Sequence, residues 1–394
     1  VCTVVPVCTV IRSSALTCST RAVTGGSSNS RKGAGMVRNE ILSWLRETGR
    51  QRLSNLWQQA NNVRRTRVGN EVHLRGLLEI SNHCTRRCAY CGLRRPNRRL
   101  RRYRMTASEI QACAVHAVRC GFGTVVLQGG EDRGIGREWL AGVIESIKRT
   151  TPLAVTLGMG ERSPAELEAW RRAGADRYLL RFETSNPGLL ARYRPDAPED
   201  APDRPALLAI LRALGYETGS GMLVGLPGQT WEMLADDLLF LRDLDVDMIG
   251  VGPFIPHPTT PLGRAGGKHT APADEQVPAD ELTTCKVMAL ARVLCPDTNI
   301  PATTALATLD PVHGYELGLG RGANVIMPNV TPMKYRRLYE IYPDKVCCTE
   351  QDPGHVKLAW RILSMGRSIA AGRGDSRHYL ARLEEHRSRQ ESAG

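Results

Sequence analysis

The sequence contains no run of 18 apolar residues, so nothing in it reads as a membrane-spanning helix. It also lacks a disulfide framework. Its 12 cysteines are irregularly spaced in a chain of 394 residues, too large to need covalent staples. Acid is in short supply: 40 Asp and Glu stand against 53 Lys and Arg, a formal charge of +13. Such an excess raises nucleic acid as a partner. The dense basic run Arg94, Arg95, Arg98, Arg99, Arg101, Arg102 and Arg104, however, carries only Tyr103 as an aromatic. Without interleaved rings to stack on bases, a solvated collar around an anionic small-molecule site is the stronger reading. What is present is a core-forming chain, 42% hydrophobic and 24% charged, of a length that suits one α/β barrel.

Residues 1–35 differ from the rest. They hold no acidic residue, are rich in Ser, Thr and Val, include Cys2, Cys8 and Cys18, and contain the linker-like stretch Gly25-Gly26-Ser27-Ser28-Asn29-Ser30. The composition predicts a non-native start or disordered leader with Met36 as the true start; an organellar transit peptide is the alternative. Helical spacing then dominates (Ile41, Leu42, Leu45, Leu53, Leu56, Trp57), breaks near Thr48-Gly49 and resumes, which predicts N-terminal helices within 36–70.

Residues 71–330 alternate. Strands are predicted at Leu74–Ser81, Thr124–Gly129, Ala154–Gly158, Arg177–Phe182, Glu217–Val224, Met248–Phe254, Ile300–Ala305 and Ala323–Met327. Helices fill most gaps, and several end in Gly before the next strand, at Gly121, Gly174 and Gly215. The pattern predicts an α/β fold, a complete (βα)8 TIM barrel with its active site at the C-terminal strand ends. Long loops at His257–Gln276 and Leu306–Leu319 fall on that face. Residues 331–394 read as a helical extension whose tail, Arg382–Gly394, is frayed.

Chemistry concentrates at the strand ends. Directly after the first strand come Cys84, Cys88 and Cys91. Three thiolates on one short loop can hold three irons of a 4Fe–4S cubane and leave the fourth iron free for a small molecule. A zinc site or unligated core cysteines are the other readings. Structural zinc takes four ligands, and His83 sits awkwardly beside Cys84. After strand two, Gln128-Gly129-Gly130-Glu131 lets backbone approach a ligand closely, with Glu131 able to accept from an amino group. Strand three contributes Thr156, followed by Gly160 and Glu161. Arg181 and Glu183 share a face of strand four by the period of two, either clamping a zwitterion or closing the barrel as a structural ion pair. Arg204 opens the next helix and can meet a carboxylate bidentately. The glycine-rich passage from Gly219 to Thr230 suits a flat adenine or ribose.

The cysteine spacing, with Tyr90 just before the last cysteine, resembles the signature of radical S-adenosylmethionine (radical SAM) enzymes. Longer strings resemble one family among them, the HydE maturases of FeFe-hydrogenase. They include Leu74-Arg75-Gly76-Leu77-Leu78-Glu79-Ile80-Ser81-Asn82, Gly252-Pro253-Phe254-Ile255-Pro256-His257-Pro258 and Asn299-Ile300-Pro301-Ala302-Thr303-Thr304-Ala305. The resemblance covers roughly residues 40–345. It implies one 4Fe–4S cluster on Cys84, Cys88 and Cys91, with SAM on the open iron. It implies SAM contacts from Tyr90, Gln128, Gly129, Gly130, Glu131, Thr156, Glu161, Arg181, Glu183, Arg204 and Met248. Thr303, Thr304, Met327, Tyr339 and Tyr342 match residues around the inner substrate cavity. Taken alone, a strand-end Thr pair reads as structural, and tyrosines spaced i,i+3 read as one packed helical face.

The activity implied is cleavage of SAM to a 5′-deoxyadenosyl radical acting on an iron–cysteine complex bearing CO and cyanide. Implied partners are the companion maturases HydG and HydF and a ferredoxin or flavodoxin as electron donor. An oxygen-sensitive cluster implies a reducing, cytoplasmic setting. Cys347-Cys348 has no cysteine after it, so no second cluster is expected. Alternatives are a biotin synthase-like or methylornithine synthase-like enzyme, and an RNA-binding or RNA-modifying protein using the arginine run.

Overall fold

Each predicted strand is a short apolar segment released from a capped helix, and in the computed structural model these segments line up in parallel. The structure describes residues 36–195, 203–265, 271–345 and 354–391. The expectations for residues 1–35 and for Cys347-Cys348 lie outside the described residues.

The strands are β1 (Glu71–Ser81), β2 (Thr124–Gly129), β3 (Ala154–Gly158), β4 (Arg177–Leu179), β5 (Glu217–Val224), β6 (Met248–Pro253), β7 (Pro301–Ala302) and β8 (Val325–Ile326). They pair in parallel in the order β6-β5-β4-β3-β2-β1-β8-β7. Between β6 and β7 the ring closes through one bridge, Met248 to Asn299, with the Ile249 amide donating to the Asn299 carbonyl at 2.9 Å. The result is a near-closed barrel wrapped by helices.

The helix boundaries follow from local chemistry. Thr106 and Ser163 each form a reciprocal capping box, with Glu109 and Glu166 respectively. Gly121, Gly174 and Gly215 adopt positive φ (75°, 105° and 83°) where three helices turn toward their next strand. The expected N-terminal break falls where predicted, between Arg38–Leu45 and Arg50–Arg67. Lys286 holds that corner by donating to the carbonyls of Leu45 and, at 3.1 Å, Glu47.

Several expectations change. Strand four stops at Leu179, because Glu183 turns left-handed (φ 72°) and meets β5 only through a bridge to Met222. Strand seven stops at Ala302, because Thr303 caps a helix, Thr304–Leu309, its hydroxyl accepting from the Leu306 amide at 3.3 Å. Strand eight keeps only Val325–Ile326 of its expected span. The expected loop Leu306–Leu319 is therefore largely helical, with a second helix at Gly314–Gly320.

The C-terminal extension is not merely helical. A ninth strand, β9 (Ser368–Ile369), pairs with β1. The loop after it closes the N-terminal end of the barrel. The Arg373 carbonyl accepts from Thr124 (2.8 Å) and Arg177 (2.9 Å), and the Gly374 carbonyl from Arg75 (2.9 Å) and Asn299 (3.0 Å). Nor is the tail frayed from Arg382. That residue forks onto buried Asp247 with both contacts at 2.8 Å, and the helix Arg377–Glu391 continues past it. No helix among the described residues is long and apolar enough to cross a membrane.

Candidate active site

The cysteine loop leaves β1 and is pinned from every side. The Thr85 amide donates to the Glu131 carbonyl (3.0 Å), Ala89 to Tyr193 (2.9 Å) and Gly92 to Ile341 (2.8 Å). Gly92 has to be glycine here: a Cβ would lie 2.2 Å from the Glu340 carbonyl oxygen and 2.7 Å from the His257 ring. The backbone amides of Arg86 and Glu131 point at the Cys84 sulfur, yet burial still holds its thiol above the ordinary value. Cys91 is pushed up further, by burial and by the facing Cys88 and Cys84. The Cys84 and Cys91 sulfurs thus lie in low-dielectric surroundings that disfavour their thiolates. A bound cationic centre would offset that penalty.

Among the described residues no three His, Cys, Asp or Glu converge on a single metal ion. Three thiols on one loop can bind three separate irons of a cubane, whereas structural zinc takes four ligands. The donor set fits a cluster with one iron left open.

Beside this loop a cavity of about 340 Å3 runs into the barrel mouth. Tyr90, Gln128, Gly129 and Thr156 line one side of it, and Arg181, Glu183 and Arg204 the next. Met248, Thr303, Thr304, Met327 and Tyr342 line it as well. Tyr339 stands behind this lining with its hydroxyl accepting from Gln128 Nε2 at 3.2 Å. Tyr339 and Tyr342 do not share a helix, as the i,i+3 spacing suggested; the helix there ends at Arg336 and both lie in the irregular segment beyond. Gly130, Glu131 and Glu161 sit outside the cavity wall. Gly130 packs against the cysteine loop, where a Cβ would meet the His83 carbonyl at 2.2 Å.

Charge organises the wall and the layer behind it. Glu161 accepts from Arg194 (2.7 Å), Arg204 (2.8 Å) and Arg86. Burial pushes its carboxyl upward, but the guanidinia of Arg204 and Arg194 outweigh burial and hold it down at about 2. Arg86 also pairs with Glu131 at 2.6 Å. Arg181 lies 3.3 Å from Glu183, and the Tyr90 hydroxyl donates to Glu183 at the same distance. The two meet through the left-handed turn at Glu183, not through strand alternation, since β4 has already ended. Four buried polar atoms of the cavity-lining residues have no hydrogen-bond partner: Glu183 Oε2 and Thr156 Oγ1, together with Glu79 Oε2 and Arg75 Nε. A polar ligand would satisfy them.

Four site residues escaped sequence reading. Arg86 hides inside the cysteine spacing, and Arg194 ends a short helix with no motif to flag it. Glu79 and Lys345 form a buried ion pair at the cavity. Glu79 carried a signal, since Glu71, His73, Arg75, Glu79 and Ser81 recur on one face of a strand whose other face is apolar. The arginine run divides. Arg94 is buried, and Arg102 is spent on the carbonyls of Leu93 and Arg94, both at 2.8 Å, so it is not part of a solvated collar. Arg104 pairs with Asp132 at 2.6 Å.

A parallel barrel with three cysteines on the loop after β1, opening onto a cavity with unsatisfied polar atoms, defines a radical SAM enzyme. The Radical SAM superfamily model matches residues 78–241. The chain is 48% identical over 310 residues to the [FeFe] hydrogenase maturase subunit HydE of Thermotoga maritima, covering 79% of this chain and 85% of that one. It is 26% identical to 3-methylornithine synthase of Methanosarcina acetivorans over 73% of this chain and 78% of that protein. Among solved structures, methylornithine synthase (PylB) superposes with a TM-score of 0.70 at 25% identity, over 85% of this chain and 94% of that one. The maturase HydG shares the fold at a TM-score of 0.69 and 18% identity, over 85% of this chain and 72% of that one. The chain belongs to the HydE family of radical SAM maturases.

Proposed function

We propose that this protein cleaves SAM reductively and directs the resulting 5′-deoxyadenosyl radical at an iron–cysteine complex bearing CO and cyanide, during assembly of the two-iron subcluster of FeFe-hydrogenase. The observation that carries this reading is the kinship to a curated HydE maturase across most of the chain.

Cys84, Cys88 and Cys91 would hold the 4Fe–4S cluster, with Gly130 keeping the second loop tight against them. When bound, that cluster supplies the electron that breaks the S–C5′ bond of SAM. The protein's own work is placement. Glu183 Oε2 and Thr156 Oγ1 offer unsatisfied polar atoms to the SAM amino-acid and ribose groups. Arg86, Arg194 and Arg204 lock Glu161, so the wall carries fixed charge and needs no reorganisation. Gln128, Arg181 and Tyr90 would complete the SAM side, with Glu131 held behind the wall by Arg86. Thr303, Thr304, Met327 and Tyr342 would face the substrate, with Tyr339 behind them, and the substrate would arrive from HydG and leave toward HydF. Met248, on β6, lines the same cavity.

The test is a defined maturation mixture containing HydF, HydG, SAM, reductant and apo-hydrogenase but no HydE. Adding this protein is expected to restore hydrogenase activity. Failure to restore it, with SAM cleavage intact, would move the substrate to another class.

A further inference from the structure

After Cys91 the chain folds back on the cysteine loop and stays there. The Arg94 amide donates to the Cys91 carbonyl (3.2 Å) and the Arg95 amide to Arg86 (2.7 Å). Asn97 Nδ2 donates to the Gly92 carbonyl at 2.8 Å, and Arg102 ties Leu93 and Arg94 from behind. Residues 86–102 are therefore one hydrogen-bonded unit around the cysteines.

Five guanidinia project from that unit into solvent, those of Arg87, Arg95, Arg98, Arg99 and Arg101. Arg264 joins the same rim, because the neighbouring Leu262 amide donates to the Ala89 carbonyl at 3.2 Å. None of the six forms an ion pair among the described residues. Like charges gathered within about a Debye length repel one another and contribute nothing to folding, which leaves them available for an oppositely charged partner.

We infer that this arginine rim is the docking surface for an acidic one-electron carrier protein. The inference rests on the cluster assignment above, since a cluster on this loop needs one electron delivered from outside. The carrier loses one electron and the cluster gains one, with no bond made and no proton moved. The cavity side of the loop faces the barrel interior, so the rim is its solvent side. Complementary charge steers encounter and sets orientation. A nucleic-acid partner fits less well: Tyr103, the aromatic within the run, is buried and stacked on Tyr335 at 4.6 Å, so it offers no platform to a base.

The test compares wild type with the triple variant Arg98→Glu, Arg99→Glu, Arg101→Glu, using a flavodoxin as probe. SAM cleavage is driven either by reduced flavodoxin or by dithionite, and flavodoxin binding is measured separately by calorimetry. Dithionite-driven cleavage is expected to stay within about twofold of wild type. Flavodoxin-driven kcat/KM is expected to fall about tenfold or more, with a matching rise in flavodoxin Kd. Wild-type binding is expected to weaken in the same way between about 50 and about 300 mM salt. Unchanged flavodoxin Kd and kcat/KM in the variant would overturn the inference, as would equal loss under both reductants. Retained flavodoxin binding with lost poly(U) binding would reassign the rim to nucleic acid. If wild type fails even with dithionite, the cluster reading fails, and the flavodoxin Kd still decides the rim.

Discussion

Arg204 donates its Nε–H to Glu161 at 2.8 Å and stands 3.7 Å from Glu183. The helix-start arginine expected to meet a ligand carboxylate is thus already engaged by a protein carboxylate, and reaches the cavity from that anchored position. Arg204→Lys keeps the charge but loses the fork and the bond to the Arg181 carbonyl. SAM affinity is expected to fall about tenfold, roughly 1.4 kcal/mol. Apo-protein melting is expected to shift only a few degrees. Unchanged affinity with a large loss of melting temperature would make Arg204 scaffold alone.

Glu161 and Glu183 are predicted to separate stability from binding. Glu161→Gln leaves Arg86, Arg194 and Arg204 facing a neutral amide in a buried setting, a loss of about 3–5 kcal/mol in urea unfolding. Glu183→Gln keeps the shape and is expected to cost about 1 kcal/mol or less. Its SAM Kd is nevertheless expected to rise about tenfold, because the unsatisfied oxygen becomes an amide that donates instead of accepting. The opposite ranking of the two stabilities would exchange their roles.

The pH dependence of stability has two arms. The folded-state pKa of Glu161 is lowered to about 2, so its contribution is complete above the unfolded value and is lost as pH falls through the folded one. Acid unfolding is expected to draw on it between about pH 4.5 and 2, and Glu161→Gln to flatten that limb. His378 goes the other way. Hydrogen bonds to Asp245 and Asp247 raise it to about 9, so its contribution is complete below about pH 6.5 and fades as pH rises through 9. Partial exposure limits the effect to roughly 2 kcal/mol. Urea midpoints of His378→Asn across that range would show no alkaline decline if the assignment holds, and an unaltered decline if it does not.

Reconstituted protein is expected to bind about four irons, and replacing any of Cys84, Cys88 or Cys91 by Ala to abolish SAM cleavage. The double variant of Cys347 and Cys348 is expected to keep its iron. Iron loss in that variant, measured by colorimetric assay, would reveal a second metal-binding region.

Much of this was legible in sequence because the signals were local. A capping box, a left-handed glycine or a three-cysteine spacing is decided within a few residues. What stayed hidden is decided at long range. Arg194 and Glu161 are far apart in the chain, and nothing near Arg194 announces the carboxylate it meets. The turn at Glu183 defeats strand periodicity, because left-handed backbone at a non-glycine residue is imposed by surrounding structure. The short β7 reflects competition in which Thr303 gains more by capping a helix than by extending a two-residue strand. The closure of the barrel floor by Arg373 and Gly374 could not be read from a segment expected to be a helical extension.

The most direct test of the central claim is electron paramagnetic resonance of the reduced, reconstituted protein with and without SAM. If three cysteines hold the cluster and leave one iron open beside the cavity, adding SAM will shift the spectrum as its amino and carboxyl groups take that iron. Glu183→Gln will require about tenfold more SAM for the same shift. A reduced-cluster spectrum that is indifferent to saturating SAM would contradict the account.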